Sequence, residues 1–203
     1  MTRVKICGIR TVEALAAAAD AGADWIGFVF AESPRRVSPS EAAALSRAVP
    51  HGPARVGVFV DPPDDAIEAA LAALTLDALQ LYAAPARAAE IRRMFGLPVW
   101  RSIRADEALP RTLDGADAFI VEPPPPPDTA RPGGHGRAAD FASLASWRPD
   151  FPWLLAGGLT PANVAAAVKE SHAPAVDVSS GVETAPGVKD PALIRAFVAA
   201  ARG

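Results

Sequence analysis

Short apolar, β-branched runs alternate with alanine-rich stretches of helical period along the whole chain. The apolar runs predict strands at Val4–Cys7, Trp25–Phe30, Arg55–Val60, Ala78–Leu81, Val99–Ile103, Ala118–Val121, Trp153–Ala156 and Ala175–Val178. The stretches between them predict helices at Thr11–Ala21, Ser40–Val49, Asp64–Leu74, Pro85–Phe95, Ala105–Leu113, Asp140–Trp147, Pro161–Glu170 and Pro191–Ala201. Thr160-Pro161 and Asp190-Pro191 each read as an N-cap followed by proline at the first helical position. Gly22 and Gly96 stand where helix C-terminal glycines belong.

Strands alternating with helices imply a parallel sheet, because a parallel connection needs a crossover of a dozen or more residues. A doubly wound open sheet is the rival arrangement. Eight repeating units, and no GxGxxG turn after the first strand, favour an α/β fold of the closed (β/α)8 TIM-barrel type. The barrel reads as a single domain over residues 1–203.

Two predicted strands deliver glycine-rich turns, Gly157-Gly158 after the seventh and Ser179-Ser180-Gly181 after the eighth. Backbone N–H groups in adjacent turns of this kind can converge on an anion, and the last two βα loops of a barrel often hold a phosphate. Gly157, Gly158, Ser180 and Gly181 are therefore candidate phosphate-binding residues, against the plainer reading as ordinary turn positions. Further glycines stand at Gly133-Gly134-His135-Gly136 and Pro186-Gly187, and Pro123–Pro127 forms a proline run after the sixth strand.

Composition narrows the picture. Half of the 203 residues are apolar and 21% are charged, which suffices for a real core. The net charge of −3 gives no basic footprint for nucleic acid. No apolar run approaches a membrane span, and Met1-Thr2-Arg3 leads directly into a strand without a signal peptide. The one cysteine excludes an internal disulfide, and His51, His135 and His172 lack metal-ligand spacing. The expectation is a cytoplasmic protein with no metal, no cofactor and no membrane or nucleic-acid partner, acting on a small phosphorylated molecule.

Catalytic groups of a barrel lie at the C-terminal ends of its strands. Those ends carry Cys7, Phe30 with Arg35 and Arg36 in the following loop, Asp61, Tyr82, Ser102 with Arg104, Glu122, and Asp177. Cys7 and Glu122 are the pair suited to acid–base isomerisation, one taking a proton from carbon while the other protonates a departing oxygen. The bland alternatives are an inert core thiol and a solvated glutamate. A thiol of ordinary pKa is mostly protonated at neutral pH, so a basic Cys7 needs help, and Lys5 on the same side of the strand can give it. Tyr82 reads as a pocket wall, and Asp177 as either a turn cap or a partner for a substrate hydroxyl.

Several segments resemble phosphoribosylanthranilate isomerases: Lys5-Ile6-Cys7-Gly8-Ile9-Arg10, Gly27-Phe28-Val29-Phe30 with Ser33-Pro34-Arg35, Val56–Val60, Leu79-Gln80-Leu81, Leu155–Leu159 and Ala175–Glu183. The resemblance implies a (β/α)8 fold and a cofactor-free Amadori rearrangement in tryptophan biosynthesis. It implies Cys7 as the base that removes the C2′ proton, Arg35 rather than Arg36 facing the anthranilate carboxylate, and Glu122 in place of the family's aspartate as general acid. The chain departs from the family pattern in that glutamate, in Tyr82 where histidine is usual, and in Gly133-Gly134-His135-Gly136-Arg137 where lysine usually closes the loop. The alternatives are a related histidine-pathway aldose–ketose isomerase and a non-catalytic phosphosugar-binding barrel. As an acid working in its protonated form, Glu122 is expected to appear in the pH–rate profile as a fall toward higher pH.

Overall fold

The protein is described from a computed structural model covering residues 1–124 and 144–203. Eight parallel strands close into a barrel, each paired with its neighbours in chain order and β8 returning to β1. They are β1 (Arg3–Cys7), β2 (Trp25–Val29), β3 (Ala54–Val60), β4 (Ala78–Tyr82), β5 (Val99–Arg104), β6 (Ala118–Glu122), β7 (Trp153–Leu155) and β8 (Ala175–Val178). Helices α1 (Val12–Asp20), α2 (Pro39–Ala48), α3 (Asp64–Ala73) and α4 (Pro85–Phe95) follow the first four strands. Helices α5 (Val164–Ser171) and α6 (Pro191–Arg202) follow the last two. A 3₁₀ turn, Ser180–Val182, and a short antiparallel pair, β9 (Glu183–Ala185) with β10 (Val188–Lys189), fill the loop between β8 and α6.

Most boundaries fall within a residue or two of those the pattern predicts. Asp190 caps α6, its Oδ1 accepting from the N–H groups of Ala192 and Leu193. Gly22 and Gly96 follow α1 and α4 with φ of 76° and 67°.

Three expectations are corrected. No helix forms over Ala105–Leu113, where the chain runs through turns and bends. Asp106 is drawn back onto Arg104 by paired hydrogen bonds of 2.9 and 2.6 Å, and Pro110 interrupts the segment and accepts from the Trp147 indole. Nor does Thr160 cap a helix at Pro161. Asn163 holds this turn instead, accepting from Thr160 N–H and donating to Gly158 O, and α5 begins at Val164. Of the predicted helix over Asp140–Trp147, residues 140–143 lie outside the described residues, and 144–147 form a turn rather than an α-helix.

The two faces of the barrel wall bury different things. Outward-facing residues such as Ile6, Phe28, Leu81, Phe119 and Val176 pack beneath the helices. Inside, the lower part is apolar, filled by Val56, Trp100, Ile120 and Leu154, with Trp25 set edge-on to Trp100 at 5.1 Å. Above them the filling turns polar: Lys5, Gln80 and Asp177 are almost entirely buried. Buried charge concentrated toward the C-terminal ends of the strands marks the end where a barrel does chemistry. Among the described residues, no helix is long and apolar enough to cross a membrane.

Candidate active site

Side chains two residues apart on a strand point to the same face, so β1 sends both Lys5 and Cys7 inward. Gly27, paired with Cys7 across β2, makes room: a Cβ there would lie 2.9 Å from Cys7 Sγ and 3.3 Å from Lys5 Nζ. The register also sets Lys5 beside Asp177 of β8, and Lys5 Nζ donates to Asp177 Oδ1 at 2.9 Å. Burial works against the Lys5 ammonium, but the charges of Asp177 and Cys7 outweigh it and its pKa is raised. Burial likewise pushes the Cys7 thiol up, partly opposed by the positive charges of Lys5 and Lys189. A buried pair that loses one partner leaves an uncompensated charge, at a typical cost of about 3–5 kcal/mol. Lys5→Met, which strands Asp177, is therefore expected to destabilise the fold by roughly that amount in urea unfolding.

Glu122 ends β6, and its carboxyl is held from the neighbouring strands. Tyr82, at the end of β4, donates its hydroxyl to Glu122 Oε1 at 2.5 Å. Ser102 of β5, the strand between them, accepts from Gln80 Nε2 at 2.9 Å, and its hydroxyl favours the ionised form of both the carboxyl and the phenol. Burial pushes the Glu122 pKa up to about 7; the Tyr82 hydrogen bond pulls the other way, Asp177 adds to the rise, and Lys5 opposes it. The phenol itself is raised well above its ordinary value by burial and by the Glu122 charge, so it remains a donor. The site thus holds a carboxyl still protonated near neutrality and a thiol inside one field, because Lys5 and Asp177 act on both.

Arg35 and Arg36, adjacent in sequence, part company in space. Arg36 is exposed beside Glu32, whereas Arg35 is buried and gives Nε and Nη2 to the two carboxylate oxygens of Glu183, each at 2.8 Å. Its stem crosses Gly8, where φ is 81° and a Cβ would lie 2.7 Å from Arg35 Cδ, so the glycine of Cys7-Gly8 serves the arginine's path. Lys189 of β10 joins this group, donating to Glu183 Oε1 at 2.6 Å and to Ser179 O at 2.9 Å. Burial lowers the Lys189 pKa; burial acts against ionisation of Glu183 too, but Arg35 and Lys189 hold its carboxyl below the usual range. Ser179 Oγ in turn donates to Cys7 O at 3.2 Å, which ties the β8 loop to the end of β1.

The glycine turns predicted to face a phosphate are brought together. A Cβ on Gly181 would lie 1.8 Å from Leu159 O, so the β8 loop sits directly against the β7 loop. Gly157, at φ 86°, is overlaid by Pro123, whose Cδ would be 1.9 Å from an added Cβ. A substitution at either glycine must displace backbone or a proline ring, and so reports on loop structure before it reports on ligand affinity.

Neither Lys189 nor the pairing of Glu183 with Arg35 has a signal in the strand pattern. Tyr82, expected as a pocket wall, is hydrogen-bonded to Glu122. His135, Arg137 and Pro125–Pro127 lie outside the described residues. No group of His, Cys, Asp or Glu among the described residues is arranged to hold a metal. A cavity of about 730 Å³ opens at the opposite end of the barrel, lined by Arg3, Trp25, Trp100, Phe151 and others at the strand N-termini, away from Cys7 and Glu122.

Comparison with known proteins adds an independent line. The family described as N-(5′phosphoribosyl)anthranilate (PRA) isomerase matches residues 4–200. The N-(5′-phosphoribosyl)anthranilate isomerase of Acidiphilium cryptum is 53% identical over 99% of this chain and 98% of its own length. Among solved structures, TrpF from Jonesia denitrificans is 39% identical, with a TM-score of 0.86 over 100% of this chain and 98% of its own. A phosphoribosyl anthranilate isomerase in complex with reduced 1-(o-carboxyphenylamino)-1-deoxyribulose 5-phosphate is 31% identical, with a TM-score of 0.80 over the full length of both chains.

Proposed function

The chain belongs to the N-(5′-phosphoribosyl)anthranilate isomerase family, and we propose that Glu122 is the general acid and Cys7 the general base of its aldose–ketose isomerisation. The chain is an isomerase of tryptophan biosynthesis. Its substrate is the phosphoribosyl adduct of anthranilate, and its product the corresponding 1-deoxyribulose 5-phosphate.

In this reading Glu122 gives its proton to the furanose ring oxygen, the bond from that oxygen to C1′ breaks, and a Schiff base forms with nitrogen. Cys7, as thiolate, removes the proton at C2′; the electron pair moves into the C1′–C2′ bond and neutralises the iminium, giving an enolamine. Its tautomerisation to the ketone completes the rearrangement. The observation that carries the assignment is the placement of the chain's one cysteine and of the Glu122 carboxyl at the C-terminal ends of β1 and β6, on the same rim as the buried Lys5–Asp177 pair.

The remaining residues bind. Arg35 spends Nε and Nη2 on Glu183, which leaves Nη1 for the substrate carboxylate. Asp177, despite its bond to Lys5, retains acceptor capacity for a sugar hydroxyl. The turns bearing Gly157, Gly158, Ser180 and Gly181 hold the phosphate. One barrel over residues 1–203 carries the whole site, and we place the reaction in the cytoplasm.

Complementation of a tryptophan auxotroph by the wild-type chain, and its failure with Glu122→Gln, tests the reading directly. Growth restored equally by both would move the acid role elsewhere. The phosphate grip has its own test in Ser180→Asp, which sets a carboxylate against a dianion in the described loop. KM is expected to rise by about tenfold or more with kcat within a few-fold, since a lost interaction common to ground and transition states appears in KM. An unchanged KM would remove this turn from the phosphate site.

A further inference from the structure

Two residues of the described barrel rim on non-adjacent strands, Tyr82 and Glu122, touch each other. Tyr82 stands on β4 and Glu122 on β6, 40 positions apart in sequence, with β5 between them, yet phenol and carboxyl meet at 2.5 Å. A glutamate carries one methylene more than an aspartate, and a longer side chain has more rotamers to lose before its carboxyl is fixed. A tyrosine hydroxyl reaching in from two strands away supplies the missing constraint. It does so from a rigid base: Val60 of β3 pairs with Tyr82 in register, Val58 and Val29 pack beside its ring, and Gln80, two residues earlier, anchors Ser102 against the pair.

We propose that Tyr82 is a positioning residue for proton transfer: by donating to Oε1 it biases the transferable proton of Glu122 onto Oε2. A carboxylic acid carries its proton on one oxygen at a time, and its carbonyl oxygen is the better acceptor, so the phenol's hydrogen bond favours the proton on the other oxygen. The inference rests on Glu122 being the general acid.

The same contact fixes a sign in the pH dependence. A hydrogen bond given to a carboxylate favours the charged form, so Tyr82 works against the rise that burial imposes on Glu122. The other groups bearing on the carboxyl are Ser102 from β5, Lys5 from β1 and Asp177 from β8, and Cys7 of β1 bears on the phenol. None of them changes identity in Tyr82→Phe.

The test is Tyr82→Phe, which keeps the ring and removes only the donor. Loss of a hydrogen bond to a charged group corresponds to about 10- to 100-fold. The variant should lose that factor in kcat with KM within a few-fold, and the pH–rate limb near neutrality should move to higher pH. A residue that merely fills space would lower activity, if at all, without moving that limb. The second measurement is the double-mutant cycle with Glu122→Asp, whose shorter side chain withdraws from the phenol: Tyr82→Phe should then cost far less than in the wild type. Wild-type kcat with an unmoved limb overturns the proposal, as does a limb displaced to lower pH or strict additivity in the cycle. Glu122→Gln separates the two readings. If it retains full activity, the acid assignment fails; if it is inactive while Tyr82→Phe is indistinguishable from wild type, only the role of Tyr82 fails.

Discussion

Glu122→Gln is expected to lower kcat/KM by about 10²–10⁴-fold, the usual worth of a positioned general acid or base, and to abolish the pH–rate limb near neutrality. An amide can hydrogen-bond to the ring oxygen but cannot supply a proton to it. The pH dependence gives the sharper diagnosis. Glu122 titrates at about 7, while burial raises the Cys7 thiol above its ordinary value, so the carboxyl loses its proton first. The pair therefore holds two protons in acid, one from about pH 7 upward, and none once the thiol has titrated. The productive form has one proton, and it must sit on Glu122 with Cys7 as thiolate. That form is the minor arrangement of the singly protonated pair, and its population follows that of the pair as a whole. Activity should rise as pH passes about 7 and fall only when the thiol titrates. On this ordering the fall toward higher pH, the limb an acid working protonated would by itself produce, is expected from Cys7, and the rise from Glu122. In Glu122→Gln the residual rate should climb steadily into the range of the thiol with no inflection near 7. The substrate phosphate, whose second ionisation lies near 6, is common to both enzymes and drops out of the comparison.

The glutamine variant should not fail by unfolding. A carboxyl whose pKa is higher in the folded than in the unfolded chain binds a proton more tightly in the native state. Between its unfolded value and about pH 7, ionising Glu122 therefore erodes stability as pH rises. An uncharged amide escapes that loss, so above neutrality the variant should unfold at a temperature no lower than the wild type. Activity lost with stability kept would locate the defect in the proton rather than the fold.

The ordering of the two pKa values is what the sequence could not disclose. Strand and helix positions were legible because period and caps agree locally: Asp190-Pro191 opens α6 as written, and the eight apolar runs all became barrel strands. Legibility failed where a side chain overruled propensity. The alanine, glutamate and leucine of Ala105–Leu113 read as helix, but Arg104 binds Asp106 and Pro110 breaks the run; Asn163 displaces Thr160 from its expected cap. The strand-end rule found Cys7, Tyr82, Glu122 and Asp177 because a barrel puts those ends on one rim. It could not find the bond from Arg35 to Glu183, 148 positions away, since no periodicity encodes a pairing between loops. Nor could it find Lys189, a lysine in a short hairpin whose burial comes wholly from tertiary packing.

Cys7→Ser should be as damaging in kcat as the loss of Glu122, again about 10²–10⁴-fold, with KM held within a few-fold. Serine is nearly isosteric and fits the space that Gly27 leaves, so the pocket's shape survives. What is lost is acidity. The cations beside this position, Lys5 and Lys189, act against the burial of the thiol, but a serine hydroxyl starts far less acidic and stays protonated in the same field. Binding depends on other groups: Arg35 remains fixed by Glu183, and the β7 and β8 turns remain in contact, so the substrate should still dock. The thiol offers one more observable that bypasses turnover. Alkylation needs the thiolate, so in the wild type it should be slow at neutral pH and accelerate into the alkaline range, along the same curve that takes activity down. If alkylation instead saturates near neutrality, the thiol titrates below the carboxyl and the two limbs revert to their simpler assignment. If Cys7→Ser turns over substrate at the wild-type rate, the base lies elsewhere on the rim, and Asp177 is the next carboxylate to replace.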